Sequence, residues 1–416
     1  MAKKNDKHRI VITGIGIISP VGIGIPAFQD SIFNGKSGIK KIHSFDPSKF
    51  PCQIAGEISD FDPMQYIHSS KIPKGRSVQF AVAAAKMATE DADLKLNIRE
   101  KERTGVIIGT SSSGIGYLEI EHNRFLEKGR VSPYATTGVF AGSVSSEVAS
   151  HLGIHGLNFT LSNGCTAATD AIGYATQLIR ESTLDIVVAG GSEAPITPLI
   201  FSGFCSMRAV STKKNKNPEA ASRPFDANRD GMVLSEGAGV FVIEELGHAL
   251  KRKAPIYAEI IGYAATSDSY HITHPAKEGI QAARAMNLAL EDANIFPEKI
   301  DCINAHGTST IINDKIETKA IKRVFGNYAY KVPINAIKSM TGHSIGASGG
   351  MEVAAILLEM KQGIISPTIN LQNPDHECDL DYVPNKAIKK KHNIVMKNSF
   401  GFGGRNSSLI LLNGDY

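Results

Sequence analysis

The chain has 416 residues, 42% of them hydrophobic and 21% charged, with 45 Lys+Arg against 41 Asp+Glu for a net charge of +4. That length suits two or three domains, or one domain built from two halves, and the charge is too small to argue for a nucleic-acid partner. Cys52, Cys165, Cys205, Cys302 and Cys378 are scattered and odd in number. With no C-x-x-C among them, they argue against a disulfide framework or zinc site and for a reducing cytoplasm.

In chain order, the polar and basic Met1 to Arg9 lacks the apolar stretch of a secretory signal, and no apolar run reaches the length of a membrane span. Arg9 to Thr13 reads as a buried strand. Gly14-Ile15-Gly16-Ile17-Ile18-Ser19-Pro20 then half-matches a dinucleotide fingerprint, with Ser19 at the third glycine, and reads as a strand-to-helix turn. Ala27 to Phe33 reads as a short helix closed by Asn34-Gly35. Residues 36–76, with four prolines, read as a surface excursion. Ser77 to Ala92 is Ala-rich and helical. Thr104 to Gly109 is a second buried strand that opens into a flexible small-residue loop, Thr110 to Gly116. Gly138 to Leu152 reads as helix and Leu157 to Leu161 as strand. Leu184 to Gly191 is another strand, and Thr212 to Ala221 a solvated loop. Arg223-Pro224-Phe225-Asp226 and Arg229-Asp230-Gly231 precede a strand at Val240 to Glu244.

After Pro255 the pattern restarts. Ile256 to Tyr263, Ile300 to Asn304 and Val332 to Ala336 read as strands. Gly279 to Asp292, Asp314 to Phe325 and Ile345 to Lys361 read as helices. Final strands lie near Asn393 to Ser399 and Ser408 to Leu412. Strands alternating with helices predict parallel sheets covered on both faces. The two halves also echo each other, each leading from a strand through a tight turn into a long helix.

Three polar clusters sit in turns after strands, where open α/β sheets place their sites. The first is Cys165, which follows an Asn163-Gly164 turn where Ala168, Ala171, Ile172, Ala175, Leu178 and Ile179 begin a helical period. A helix N-terminus there would lower the thiol pKa and make a nucleophile of it; the alternative is a small buried hydrophobe. The others are Asn304-Ala305-His306-Gly307-Thr308-Ser309-Thr310 and Lys338-Ser339-Met340-Thr341-Gly342-His343. A Cys-His hydrolase needs one histidine and leaves the second and the lysine unexplained. Two histidines suit a reaction that stabilises an oxyanion or enolate after covalent attachment to cysteine. Asp314, Lys315 and Glu317 open a helix, where an acidic first turn is favourable.

These motifs, together with Gly164-Cys165-Thr166-Ala167 and Phe400-Gly401-Phe402-Gly403-Gly404, resemble those of the β-ketoacyl-acyl-carrier-protein synthases. The resemblance runs from Val11 to Gly404. It implies an α/β, thiolase-like fold of two duplicated βαβ-rich halves, residues 1–255 and 256–416, in five layers, α-β-α-β-α. It implies that Cys165 accepts an acyl group as a thioester. His306 and His343 would bind a malonyl thioester and promote its decarboxylation. Lys338 would orient the histidines with Glu317 as its ion-pair partner, and Asp314 would support them. The backbone N–H groups of Cys165 and Phe402 would form the oxyanion hole. Thr308 and Thr310 would contact phosphopantetheine, with Phe402, Gly401 and Phe204 lining the approach. No metal or organic cofactor is expected, since phosphopantetheine arrives on an acidic acyl carrier protein. Arg130, Arg208, Lys71 and Lys74 are candidates for docking it, against the alternative of solvated surface charges. A dimer is expected, either of identical chains or with a chain-length-factor-like homologous subunit; neither nucleic acid nor membrane is. Asn163 to Ala175, the serine-rich Thr110 to Gly116 loop, Asn313 to Thr318 and Arg405 lean toward the ketosynthase subunit of type II polyketide synthases. The alternative is fatty-acid elongation. A non-catalytic chain-length partner is disfavoured, since Cys165, His306 and His343 are all present.

Overall fold

The computed structural model of the chain describes residues 8–67 and 73–414. Apolar, β-branched runs form its main strands, and Gly-rich or polar turns separate them. The first half contains β1 (Ile10–Ser19), α1 (Arg76–Asp91), β2 (Thr104–Gly109), α2 (Ser143–Leu152), β3 (Asn158–Leu161), α3 (Ala167–Arg180), β4 (Ile186–Glu193) and β5 (Gly237–Glu245). The second contains β6 (Ala258–Ser267), α4 (Ile280–Ala293), β7 (Cys302–Asn304), α5 (Ile311–Phe325), β8 (Ile334–Asn335), α6 (Ser348–Gln362), β9 (Ile394–Gly401) and β10 (Arg405–Asn413).

The strands run β3-β2-β4-β5-β1 in the first half and β8-β7-β9-β10-β6 in the second. Each order is the same permutation of its own chain order, and each step has the same sense in both halves. β2 pairs parallel with β3 and β4, as β7 does with β8 and β9. β5 pairs antiparallel with β4 and β1, as β10 does with β9 and β6. The echo in the sequence is therefore a duplicated unit. The halves meet edge to edge where Val11 and Ile12 pair with Glu259 and Ala258.

The sheets are mixed, not parallel as the alternating pattern predicts, because the last strand of each half returns antiparallel. β9 and β10 do so through the tight Phe402–Gly404 turn. β1 is also longer than expected. Gly14 and Gly16 are strand residues, not a turn, and they are glycines because α1 lies directly against them. A methyl group on Gly16 would sit 1.8 Å from the Ala84 carbonyl oxygen.

Five layers result. α1 and α2 cover the outer face of the first half, and α4 and α5 that of the second. α3 and α6 lie between the sheets and contact strands of both. Every residue from Ser348 to Met360 is buried, so α6 has no solvent face before its last two residues. Residues 36–67 are not a plain surface excursion. Ile39, Ile42, Cys52 and Ile54 join Cys165 and Phe201 in one buried cluster. Among the described residues, no helix is long and apolar enough to cross a membrane.

Candidate active site

Both interlayer helices begin with a 3-10 turn, Gly164–Thr166 before α3 and Ile345–Ala347 before α6, and these two turns meet. Gly164 adopts φ +65, which lets the chain reverse from β3 into the turn. Cys165 is thereby presented to the second half, 5% exposed. His343 Nε2 lies 3.2 Å from Cys165 Sγ, and His343 Nδ1 lies 2.8 Å from Ser348 Oγ. The His306 ring stands 5.4 Å from the His343 ring and nearly perpendicular to it. The reactive atoms of Cys165, His306 and His343 lie within 4.8 Å of one another, close enough to act on one substrate carbonyl.

The electrostatics differ from the sequence expectation. Burial pushes the Cys165 thiol up to about 11, against the pull of the Phe402 amide N–H and the Lys338 charge. The helix N-terminus does not yield a resting thiolate, because the sulfur is buried. Burial, then Lys338, holds both histidines well below the usual imidazole range. The resting set is thus a thiol beside two neutral imidazoles. The Phe402 amide already points at the sulfur, as an oxyanion donor must.

Lys338 does face His306. Its Nζ donates to the His306 carbonyl at 2.7 Å and lies 3.4 Å from His306 Nδ1. Its ion-pair partner is Glu352 on α6, not Glu317. Glu317 instead accepts from the backbone N–H of His306 at 2.7 Å and of Gly307 at 2.8 Å, and so shapes the histidine turn. Burial pushes its carboxyl up to about 7. Asp314 does not support the histidines directly. It accepts from Phe225 N–H at 2.9 Å and pairs with Arg229 at 3.5 Å, tying the 223–230 segment to α5. The hydroxyls of Thr308 and Thr310 lie 2.9 Å apart, and Thr310 also caps α5. Gly401 packs against the Cys165 backbone. Phe402 stacks on Phe204 at 6.4 Å, at the edge of the apolar cluster around the cysteine.

The docking candidates are less unified. Arg130, Arg208 and Lys74 are exposed, and Lys71 lies outside the described residues. Arg208 directly follows the helix Pro198–Ser206 that carries Phe204. Lys74 lines a separate cavity of about 1100 Å³ beside Lys86, Tyr134 and Phe140. Arg405 Nη1 donates to the Ser162 carbonyl at 3.0 Å and to Asn163 Oδ1 at 3.1 Å, bracing the turn before Cys165. Thr110 to Gly116 is not a loose loop. Buried Glu193 accepts from Ser111 N–H at 2.6 Å, Ser112 N–H at 3.0 Å and Gly346 N–H at 3.2 Å. Sequence reasoning missed Glu193, Glu352 and Ser348. The signal for Glu352 was present: a lone carboxylate inside the apolar run Gly349 to Leu358.

The chain matches the family described as "Beta-ketoacyl synthase, N-terminal domain" over residues 7–249 and "Beta-ketoacyl synthase, C-terminal domain" over residues 257–372. It is 44% identical to "3-oxoacyl-[acyl-carrier-protein] synthase 2" of Coxiella burnetii, covering 98% of this chain and 99% of that protein. The enzyme of the same description from Synechocystis is 43% identical over 97% and 98% of the two chains. Among solved structures, a type II PKS ketosynthase in complex with its acyl-carrier protein superposes with TM-score 0.91 at 36% identity, covering 99% and 100% of the two chains. The ishigamide ketosynthase/chain length factor does so with TM-score 0.91 at 35% identity, covering 98% and 100%. A cysteine thiol and two imidazoles at the meeting point of a duplicated α/β unit, with this likeness along the whole length, place the chain in the beta-ketoacyl synthase family as a condensing acyltransferase.

Proposed function

We propose that the chain is the ketosynthase of a type II polyketide or polyene pathway, extending an acyl group held on Cys165 by decarboxylative condensation with malonyl-carrier protein. The observation that carries the chemistry is the 3.2 Å approach of His343 Nε2 to Cys165 Sγ, with His306 beside it. As the sulfur attacks the acyl thioester on the carrier, its proton passes to His343 Nε2, so the attack does not require a resting thiolate. The Cys165 and Phe402 amides receive the oxyanion. The pantetheine sulfur then leaves with the proton from His343, and an acyl thioester remains on Cys165. The malonyl thioester enters next, and its carbonyl oxygen accepts from His306 and His343. The bond to the carboxylate breaks, CO2 leaves, and the electron pair forms an enolate on that oxygen. The enolate carbon attacks the acyl carbonyl on Cys165, the C–S bond breaks, and the thiolate takes a proton from water.

The polyketide reading is supported by the two superpositions at TM-score 0.91. Fatty-acid elongation is the second reading, favoured by the 44% identity to the Coxiella burnetii enzyme. A second subunit fits the exposed Leu118, Ile120, Phe125 and Leu126 on the helix Ile115–Lys128, with Tyr134 and Phe140 beyond it. Intact-mass spectrometry after incubation with acyl-carrier protein tests the chemistry. One acyl adduct on the wild type and none on Cys165→Ala are expected, and an adduct on both sinks the assignment. Co-purification tests the pathway: a homologous subunit without the cysteine supports the polyketide reading, and a symmetric homodimer supports elongation.

A further inference from the structure

Lys338 and Lys397 are the two fully buried lysines among the described residues. Only the first faces one of the two histidines, His306. Lys397 lies on β9, two residues before the Ser399 that faces α3. Its Nζ donates to Thr169 Oγ1 at 2.8 Å and to Ser399 Oγ, and forms an ion pair with Glu352 Oε2 at 2.9 Å. Glu352 Oε1 belongs to Lys338. One buried carboxylate thus serves two buried ammonium groups. Thr169 is one helical turn beyond Cys165, and its hydroxyl also lies 2.9 Å from Ser399 Oγ.

We propose that Lys397 is a second positioning lysine of the condensing site: it shares Glu352 with Lys338 and ties the first turn of the nucleophile helix to the frame that holds the histidines. Two ammonium groups thus face one carboxylate, and burial, partly offset by Glu352, lowers the Lys397 pKa; while Lys397 is protonated the triad holds one positive charge in excess. That charge acts on His306 and His343, and in both it opposes protonation. The other ionisable groups around the triad are Asp170 on α3, whose charge acts on Lys397, and Glu317 on α5 and Glu193 on β4, which act on Cys165 or Lys338. Lys397 Nζ forms its ion pair with Glu352, which is its anionic partner. A lysine buried merely for packing would be replaced by an apolar residue without effect on the reaction. A lysine that sets the field at two histidines would not.

The proposal rests on the decarboxylative reading of the site, so wild-type turnover is measured beside each variant. An inactive wild type sinks that reading; the comparisons below judge Lys397. Lys397→Gln keeps a donor toward Thr169 and removes the charge, whereas Lys397→Arg keeps the charge. Removing a positive charge raises the histidine pKa values, so the acid limb of the malonyl-carrier decarboxylation profile moves to higher pH. The expected shift for Lys397→Gln is on the order of one pH unit, with kcat down about tenfold and KM little changed. Lys397→Arg is expected to restore the limb to its wild-type position even if kcat stays low. A folded Lys397→Gln with a wild-type limb overturns the proposal. So does Lys397→Arg showing the same displaced limb as Lys397→Gln. If Lys397→Gln does not fold, Lys397→Met takes its place, and failure of both neutral variants to fold assigns Lys397 to structure alone.

Discussion

His306 and His343 share a buried cleft, but their Nδ1 atoms face different neighbours. Lys338 Nζ, 3.4 Å from His306 Nδ1, can only donate. With Nδ1 facing that donor, His306 carries its proton on Nε2, and in the proposed reaction it is the fixed donor toward substrate. His343 Nδ1 faces the Ser348 hydroxyl at 2.8 Å, and a hydroxyl can donate or accept. His343 can thus accept the Cys165 proton in acylation and donate to the malonyl carbonyl in decarboxylation. Ser348→Ala leaves Nδ1 unpartnered in a buried site, a penalty of about 1–3 kcal/mol. Single-turnover acylation of Cys165, followed by mass spectrometry, should slow by roughly ten- to a hundredfold. An unchanged rate would remove Ser348 from the mechanism. Cys165, His306, Lys338 and His343 were legible in the sequence because each stands in a short polar turn after a strand. The ion-pair partner of Lys338 was not. Glu317 and Glu352 are both buried carboxylates on helices, and only the packing of α6 between the sheets decides which one the lysine meets.

At the scale of elements, α1 and β1 touch so closely that glycine is required between them. Gly16→Ala would drive a methyl group into the Ala84 carbonyl at 1.8 Å, with backbone on both sides and no flexible side chain to yield. A loss of several kcal/mol, seen as a large drop in melting temperature or insoluble protein, is expected. Gly203 lies inside the helix Pro198–Ser206, with nothing within 4 Å of an added methyl. Gly203→Ala should stabilise by about 0.5–1 kcal/mol, because glycine is entropically unfavourable within a helix. The pair separates close approach from conformational freedom in one denaturation experiment. The same contact explains a misreading. Gly-Ile-Gly after a strand looks like a turn when the neighbour is unknown, and the helix that demands those glycines begins some sixty residues later. The main strands and the long helices that flank them were otherwise readable from period and β-branching, whereas the helices Ile115–Lys128 and Pro198–Ser206 were not read. The sense of the last strand in each half was not, since apolar runs carry no direction.

Across the whole molecule, Glu317 and Glu359 stand out among the described carboxylates that are buried with no ion-pair partner. Glu317 bonds two backbone N–H groups, and Glu359 accepts from Asn335 Nδ2 at 2.9 Å while its Oε2 has no hydrogen-bond partner. Burial pushes both up to about 7 from 4.5. Folded-state pKa values above the unfolded ones mean that the folded chain holds these protons longer. Their stabilising contribution is complete below about 4.5 and is lost as pH rises toward about 7. The loss is on the order of 3 kcal/mol for each group. Glu359→Gln, which cannot ionise, should raise the melting temperature at pH 8 and leave it unchanged at pH 4.5; equal effects at both would refute the titration. The duplicated topology has a further consequence, for how the chain is made. In each half the first strand pairs with the last: Ile10 meets Glu245, and Ala258 meets Asn413. β1 lies between β5 and β6, so apart from its short pairing with Gly22–Ile23 both its edges stay open until residues 237–267 have left the ribosome. Through most of synthesis the nascent chain carries one of its most apolar strands unpaired, with α1 covering one face, and guarding those edges against other chains falls to chaperones.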